Sequence, residues 1–243
     1  MPAVRAAVAA VAFLTRVPVG RFVAVDRADV ARAAALFPVV GAGIGAAVGG
    51  AADALAGPLS PQRAAVLGLA LGTVLTGALH LDGLADCADA LGAATRERAL
   101  EIMRDHRIGA YGGAALVFAI AAKISCVAVL AAHGDALRLV ACAVGVSRAV
   151  PVVLGTVLPY ARPEGTGGFF LGAGRGAAAI AVGLASALCI AAHAWPLALV
   201  ALGASVVLGT GARALLGGVT GDALGAATEL SEVAGLVLAV ALT

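Results

Sequence analysis

The chain has 243 residues, of which 62% are hydrophobic and only 12% charged, with a net charge of +2. Soluble domains carry about 25% charged residues, so this composition excludes an ordinary water-soluble domain and assigns most of the surface to lipid. The basic residues are spread over loops with no aromatic–basic patch, which argues against nucleic-acid binding.

Met1–Val25 is mildly apolar, but it carries Arg5, Arg16 and Arg21 and lacks a small-residue cleavage site. An interfacial helix over Ala3–Leu14 is expected rather than a signal peptide. Apolar runs long enough to span a bilayer follow at Leu36–Ala56, Ala64–Leu79, Tyr111–Ala132, Leu137–Leu158, Gly176–Ala194 and Pro196–Leu216. A weaker seventh runs over about Ala223–Thr243. Gly41, Gly45 and Gly49 form a small-xxx-small ladder suited to close helix packing. Cys87, Cys126, Cys142 and Cys189 form no CxxC pair and read as small buried residues.

Arginines gather before the first span, between spans two and three, between four and five, and at the end of six. The intervening loops hold only Arg63 and Arg138. By the positive-inside rule the richer set of loops, and the amino terminus, face the cytoplasm. The expected fold is all-α: a polytopic membrane helix bundle of six to seven spans with a cytoplasmic-face active site. It forms one integral membrane domain over residues 1–243, with an N-terminal interfacial segment at about 1–30.

The sharpest local signal is His80-Leu-Asp-Gly-Leu-Ala-Asp-Cys-Ala-Asp89. Asp82, Asp86 and Asp89 stand at i, i+4 and i+7, on one helical face within an arc of about 60°. Three carboxylates on one stripe repel unless a cation sits among them, and Mg²⁺ takes oxygen ligands of this kind. Carboxylates at the edge of a span are costly and usually functional. His80 reads either as a proton acceptor or as an interfacial residue. Arg96, Glu97, Arg98 and Glu101 read as a solvated amphipathic loop.

Arg104, Asp105 and Arg107, followed by Ile108-Gly-Ala-Tyr-Gly112, form a second cluster. Arginine forks match phosphate oxygens, and Gly109, Gly112 and Gly113 let backbone approach a ligand at a helix start. Only Lys123 and Arg148 lie well inside apolar runs. A third cluster runs from Thr220-Gly-Asp222 through Glu229 and Glu232, where a carboxylate pair beside the last span suits an ion or polar ligand. Helix capping by Thr220 or Asp222 is the simpler alternative. If the clusters form one site, Asp222 must meet the Asp82–Asp89 stripe in space.

At these residues the chain resembles the cobalamin synthase family, also called adenosylcobinamide-GDP ribazoletransferases or cobalamin-5′-phosphate synthases. The likeness runs through Phe13-Leu-Thr-Arg-Val-Pro18, Phe37-Pro-Val-Val-Gly41, His80–Asp89, Glu101-Ile-Met-Arg-Asp105 and Arg107-Ile-Gly109. It continues through Ser147-Arg148, Pro159-Tyr-Ala-Arg162 and Thr220–Leu230. Cys87, Ala90 and His106 depart from the family's usual Thr, Gly and Ser. The resemblance implies transfer of phosphocobinamide from adenosylcobinamide-GDP to the ribose hydroxyl of α-ribazole or its 5′-phosphate, with GMP leaving. It implies Mg²⁺ as cofactor, a lipid bilayer as setting and a bacterial inner membrane as location, and leaves a homo-oligomer open. On that reading Asp82, Asp86 and Asp89 are the metal ligands, and Arg104 and Arg107 clamp phosphate. Gly109 and Glu229 bind substrate, and Asp105, His80 or Asp222 is the base. Two other readings are a CDP-alcohol phosphotransferase, whose D-x-x-D-G-x-x-A-R pattern is only half met, and an ion-coupled transporter, which calls for midspan carboxylates.

Overall fold

The computed structural model describes residues 2–21, 27–105, 107–162 and 173–243, and apart from one isolated bridge these form helices, turns and short connections. Helix α1 (Pro2–Leu14) buries Ala6, Ala9, Ala10 and Leu14, a one-face stripe. The short α2 (Arg27–Ala33) is held to it by Asp29, which is wholly buried between Arg5 at 2.8 Å and Arg32 at 2.7 Å.

The body of the bundle is built on α3 (Phe37–Leu59). It packs antiparallel to α8 (Ala136–Ser147) along the predicted glycine ladder. A Cβ at Gly45 or Gly49 would fall 2.6 Å from the Val140 carbonyl or 2.2 Å from the Ala136 carbonyl. Any side chain there would force the helices apart. Asp53 on α3 accepts the Ala136 and Leu137 amides at 3.2 and 2.8 Å, satisfying free N–H groups at the start of α8.

Among the described residues, six helices or helix pairs are long and apolar enough to cross a membrane. They are residues 31–59, α7 (Ala110–His133), α8 with α9 (Ala149–Val157), α10 (Gly174–Ala191), α11 (Pro196–Leu216) and α12 (Gly221–Val240). The segment read as the weak seventh span is thus a full 20-residue helix.

The predicted second span, Ala64–Leu79, is broken by a corner rather than straight, and the bent pair counts as a seventh candidate span if taken as one. Helix α4 (Pro61–Thr76) stops short, and the chain turns by 89° into α5 (Leu79–Ala90). The corner is made by two consecutive left-handed residues, Gly77 at φ +64° and Ala78 at φ +60°. A non-glycine residue there costs about 1–2 kcal/mol. The Arg16 amide donates to the Leu75 carbonyl at 2.7 Å, and its Nε lies 2.1 Å from where a Gly77 Cβ would stand. The arginine therefore fills the inside of the corner and requires glycine at 77. With 16 residues, α4 is about 24 Å long, shorter than the hydrocarbon core of about 30 Å. It nevertheless returns the chain along α3, with Gly68 against the Val48 carbonyl and Gly72 against the Val48 side chain.

Two ends of the bundle result. At one end Asp53 meets the start of α8, and Arg138 reaches the Ala192 carbonyl at 2.5 Å. At the other, α5, the starts of α7 and α12 and the ends of α9 and α11 converge. There Tyr160 and Val219 form a parallel bridge, with Ala161 donating to Val219 at 2.8 Å.

Candidate active site

The site lies where α5 crosses the first turns of α12. The two backbones nearly touch: a Cβ at Gly83 would lie 2.7 Å from the Asp222 carbonyl and 3.2 Å from the Gly225 Cα. That contact puts Asp222 beside the acidic stripe, as the clustering argument required. Asp82 and Asp222 line a common cavity of about 190 Å³, together with His80 and Arg148. Leu84, Ala85 and Ala88 are buried beneath α5, which leaves Asp82 exposed and Asp86 half-buried on its other face.

The three stripe residues do not share one fate. Among the described residues the side chains of Asp82 and Asp86 have no hydrogen-bond or ion-pair partner. Burial, with Asp222 and Asp82 as negative neighbours, pushes the Asp86 carboxyl up to about 6. This is a locus short of positive charge. Asp89, expected as the third metal ligand, is instead committed to backbone. Its Oδ2 accepts the Gly109 amide at 2.7 Å and its Oδ1 the Gly112 amide at 2.8 Å. The carboxylate thereby caps the N-terminus of α7 and ties it to α5. Gly109 and Gly112 are therefore places where backbone closes on Asp89, since a Cβ at either would come within 2.5 Å of its oxygens.

Asp222 carries the opposite partner. Arg162 stands 2.9 Å from its Oδ2, and both side chains are largely buried. The pair is held by charge more than by hydrogen-bond geometry: among the described residues Nε and Nη2 of Arg162 and Oδ2 of Asp222 have no hydrogen-bond partner. Arg162 is placed by the 160–219 bridge. Sequence reasoning saw it only as the end of Pro159-Tyr-Ala-Arg162, and nothing in that tetrapeptide announces a carboxylate partner. Capping of α12 falls to Thr220, whose hydroxyl accepts the Ala223 amide at 3.1 Å.

Among the described residues no three His, Cys, Asp or Glu side chains form a group that holds a metal ion as placed. The donor set still fits a hard cation: two unpartnered carboxylates, a third at the helix crossing, and no thiolate among the ligands. Asp82 and Asp86 would hold the ion, and Asp222 would join them on release from Arg162.

The other expected residues scatter. Arg104 is exposed on the turn after α6 (Arg96–Ile102). Arg107 is exposed as well, paired with Asp105 at 2.6 Å, while its amide closes a turn on the Asp105 Oδ1 at 3.1 Å. Asp105, one of the three candidate bases, is thus committed to its own loop. His106 lies outside the described residues. Arg98 and Glu101 form an exposed pair, as a solvated loop should. Arg96 does not belong to that description. Its Nε donates to the Leu216 carbonyl at 2.6 Å and its Nη2 to Ala161 at 3.0 Å, tying α6 to two other elements.

Glu229, expected at the substrate, is found paired inside the bundle. It is 2% exposed and bound to Lys123 at 2.6 Å. Lys123 also bonds Glu232 at 2.6 Å, and Glu232 is bonded in turn by Arg148 Nη1. Two cations and two carboxylates balance inside the bundle, in a cavity of about 240 Å³. The two isolated charges noted in apolar runs, Lys123 and Arg148, thereby find the two glutamates of the last span.

A model of the family described as cobalamin-5-phosphate synthase matches residues 6–240. Curated relatives named adenosylcobinamide-GDP ribazoletransferase include proteins from Shigella boydii and Escherichia coli, each 38% identical over 93% of this chain and 95% of their own. One from Citrobacter koseri is 39% identical over the same shares. No solved structure matches the chain. The chain belongs to the cobalamin-5-phosphate synthase family.

Proposed function

With that membership as premise, we propose that the protein joins activated cobinamide to its lower-ligand nucleoside. The donor is adenosylcobinamide-GDP and the acceptor α-ribazole or its 5′-phosphate. The ribose hydroxyl attacks the phosphorus that carries cobinamide, and GMP leaves with the electrons of the broken P–O bond. The observation that carries this reading is the meeting of Asp82, Asp86 and Asp222 at the α5–α12 crossing. Displacement at phosphorus asks for such a carboxylate locus, because a divalent ion neutralises charge on the phosphoryl oxygens and the leaving group.

Asp82 and Asp86 would hold Mg²⁺. Arg162, at the same locus, is better placed than the exposed Arg104 and Arg107 to meet phosphate once Asp222 lets it go. Of the three candidate bases, His80 and Asp222 line the cavity with Asp82. Asp222 is held by Arg162 and, once released, would turn to the ion, so the proton acceptor of this reading is His80. The midspan carboxylates a transporter needs do exist, at Glu229 and Glu232, but each is paired with a buried cation. The arginine-rich loops support a site at the cytoplasmic face of a bacterial inner membrane.

The test is turnover. Purified protein given adenosylcobinamide-GDP, α-ribazole and Mg²⁺ should release GMP, and chelation of the metal should stop it. Absence of GMP with both α-ribazole and its 5′-phosphate defeats the reading.

A further inference from the structure

Arg148 closes α8 and is 3% exposed, a guanidinium held deep among membrane-crossing helices. Charges at such depth are expensive and are kept for function. Half of this one is accounted for: Nη1 donates to Glu232 and, at 2.7 Å, to the Ser147 hydroxyl. The other edge is not. Nε is buried with no hydrogen-bond partner among the described residues, and an unmade bond at a buried charged donor is costly. Arg148 lines both cavities, the inner one with Lys123 and the outer one with Asp82 and Asp222. His80 and Thr228 also line the outer cavity, and its apolar wall includes Phe13 and Phe37, whose rings stack at 5.4 Å.

We propose that the outer cavity is an oxyanion subsite in which Arg148 gives its free donor edge to a phosphoryl oxygen of a substrate. Arginine suits this because its planar fork binds Glu232 on one side while presenting Nε–H on another. The void is about 190 Å³, below the range of about 300–1,000 Å³ for whole drug-sized ligands. It takes a phosphate and its neighbouring sugar, not a corrinoid. The walls sort by chemistry: carboxylates for a cation, a buried guanidinium for the oxyanion, rings for apolar surface. The inference rests on the transfer reaction proposed above for the identity of the phosphate. Two sources share its chemistry, the 5′-phosphate of a phosphorylated acceptor and the diphosphate of the donor.

The decisive variant is Arg148→Lys, which keeps a cation beside Glu232 and removes the Nε donor. A double change, Arg148→Gln with Glu232→Gln, removes the pair without leaving a lone buried carboxylate. In full-length protein, KM is measured for adenosylcobinamide-GDP, α-ribazole and α-ribazole 5′-phosphate. A rise of about tenfold or more in KM for the phosphorylated acceptor alone, with kcat held within about threefold, assigns the subsite to that phosphate. The same rise for the donor alone assigns it to the diphosphate. Unchanged KM values for all three overturn the proposal, whatever happens to kcat. A second readout needs no turnover: inorganic pyrophosphate should raise the thermal midpoint of the parent protein and not of Arg148→Lys. Equal stabilisation of both, or of neither, also overturns the subsite. Failure of the transfer reaction alone leaves this readout intact.

Discussion

At the scale of single residues, the acidic stripe divides into parts with different work. Asp82→Asn and Asp86→Asn keep shape and remove charge. Each is expected to lower turnover by at least about 100-fold while the protein still accumulates in the membrane, and GMP release reads it. Asp89→Asn should behave otherwise. It replaces an accepting oxygen with an amide that cannot take the second N–H from the start of α7. The expected loss is stability, about 1.5–3 kcal/mol for a bond to a charged group, seen as a lower thermal midpoint with Mg²⁺ affinity kept. Equal kinetic defects in all three would restore Asp89 to the metal. Lys123 offers a further check. It bonds two buried carboxylates, so Lys123→Met strands Glu229, leaves Glu232 to Arg148 alone and should cost about 3–5 kcal/mol. Adding Glu229→Gln should recover part of that loss in the same unfolding measurement. The spacing of the aspartates is legible in the sequence because a 3.6-residue period fixes which side chains share a face. The partner of each carboxylate is not, because Gly109, Arg162 and Lys123 arrive from other elements.

At the scale of elements, the site depends on a corner and a crossing. The corner at Gly77 and Ala78 lies inside what hydropathy alone reads as the second span. Apolar composition is blind to a left-handed turn, and the signal that could have exposed it is Gly77 itself, a helix-stopping residue at φ +64°. The crossing is made by two glycines that are not equivalent. A Cβ on Gly83 would sit 2.7 Å from the Asp222 carbonyl, whereas one on Gly225 meets nothing nearer than 3.5 Å. Gly83→Ala should therefore push α5 away from α12 and depress both stability and turnover. Gly225→Ala should be tolerated, with a gain of up to about 1 kcal/mol in helix propensity. Thermal midpoints and GMP release of the two variants measured side by side check this. Similar effects at both positions would mean that the crossing is looser than the contact implies.

At the scale of the whole molecule, the alternation of arginine-rich and arginine-poor loops was the most legible property of the chain, since it is written in composition and needs no partner. The contacts agree on which loops share an end. Asp89 reaches Gly109, Arg96 reaches Leu216 and Ala161, and Tyr160 bridges Val219, all at one end. Asp53 reaches Leu137 and Arg138 reaches Ala192 at the other. Strand-like bridging and arginine tethers across elements are tertiary facts that no periodicity announces, which is why the assembled site was less legible than the spans that carry it. Agreement on ends does not by itself set which end faces the cytoplasm; the charge excess predicts it. The end with the site carries Arg96, Arg98, Arg104, Arg107 and Arg162, with Arg213 in the last turn of α11, while Arg63 and Arg138 mark the other. Retaining that excess inside is the expected outcome of membrane insertion. Single cysteines placed at Arg98 and Gly221 should then resist a membrane-impermeant thiol reagent applied from outside intact cells and react in inverted vesicles. Cysteines at Ser60, Gly134 and His193, near the opposite helix ends, should show the reverse. The four native cysteines lie buried or half-buried, so background labelling should be low. Labelling of Arg98 and Gly221 from opposite sides would break the shared site. Labelling of both from outside would keep the site intact and turn the whole bundle over, placing the chemistry on the outer face.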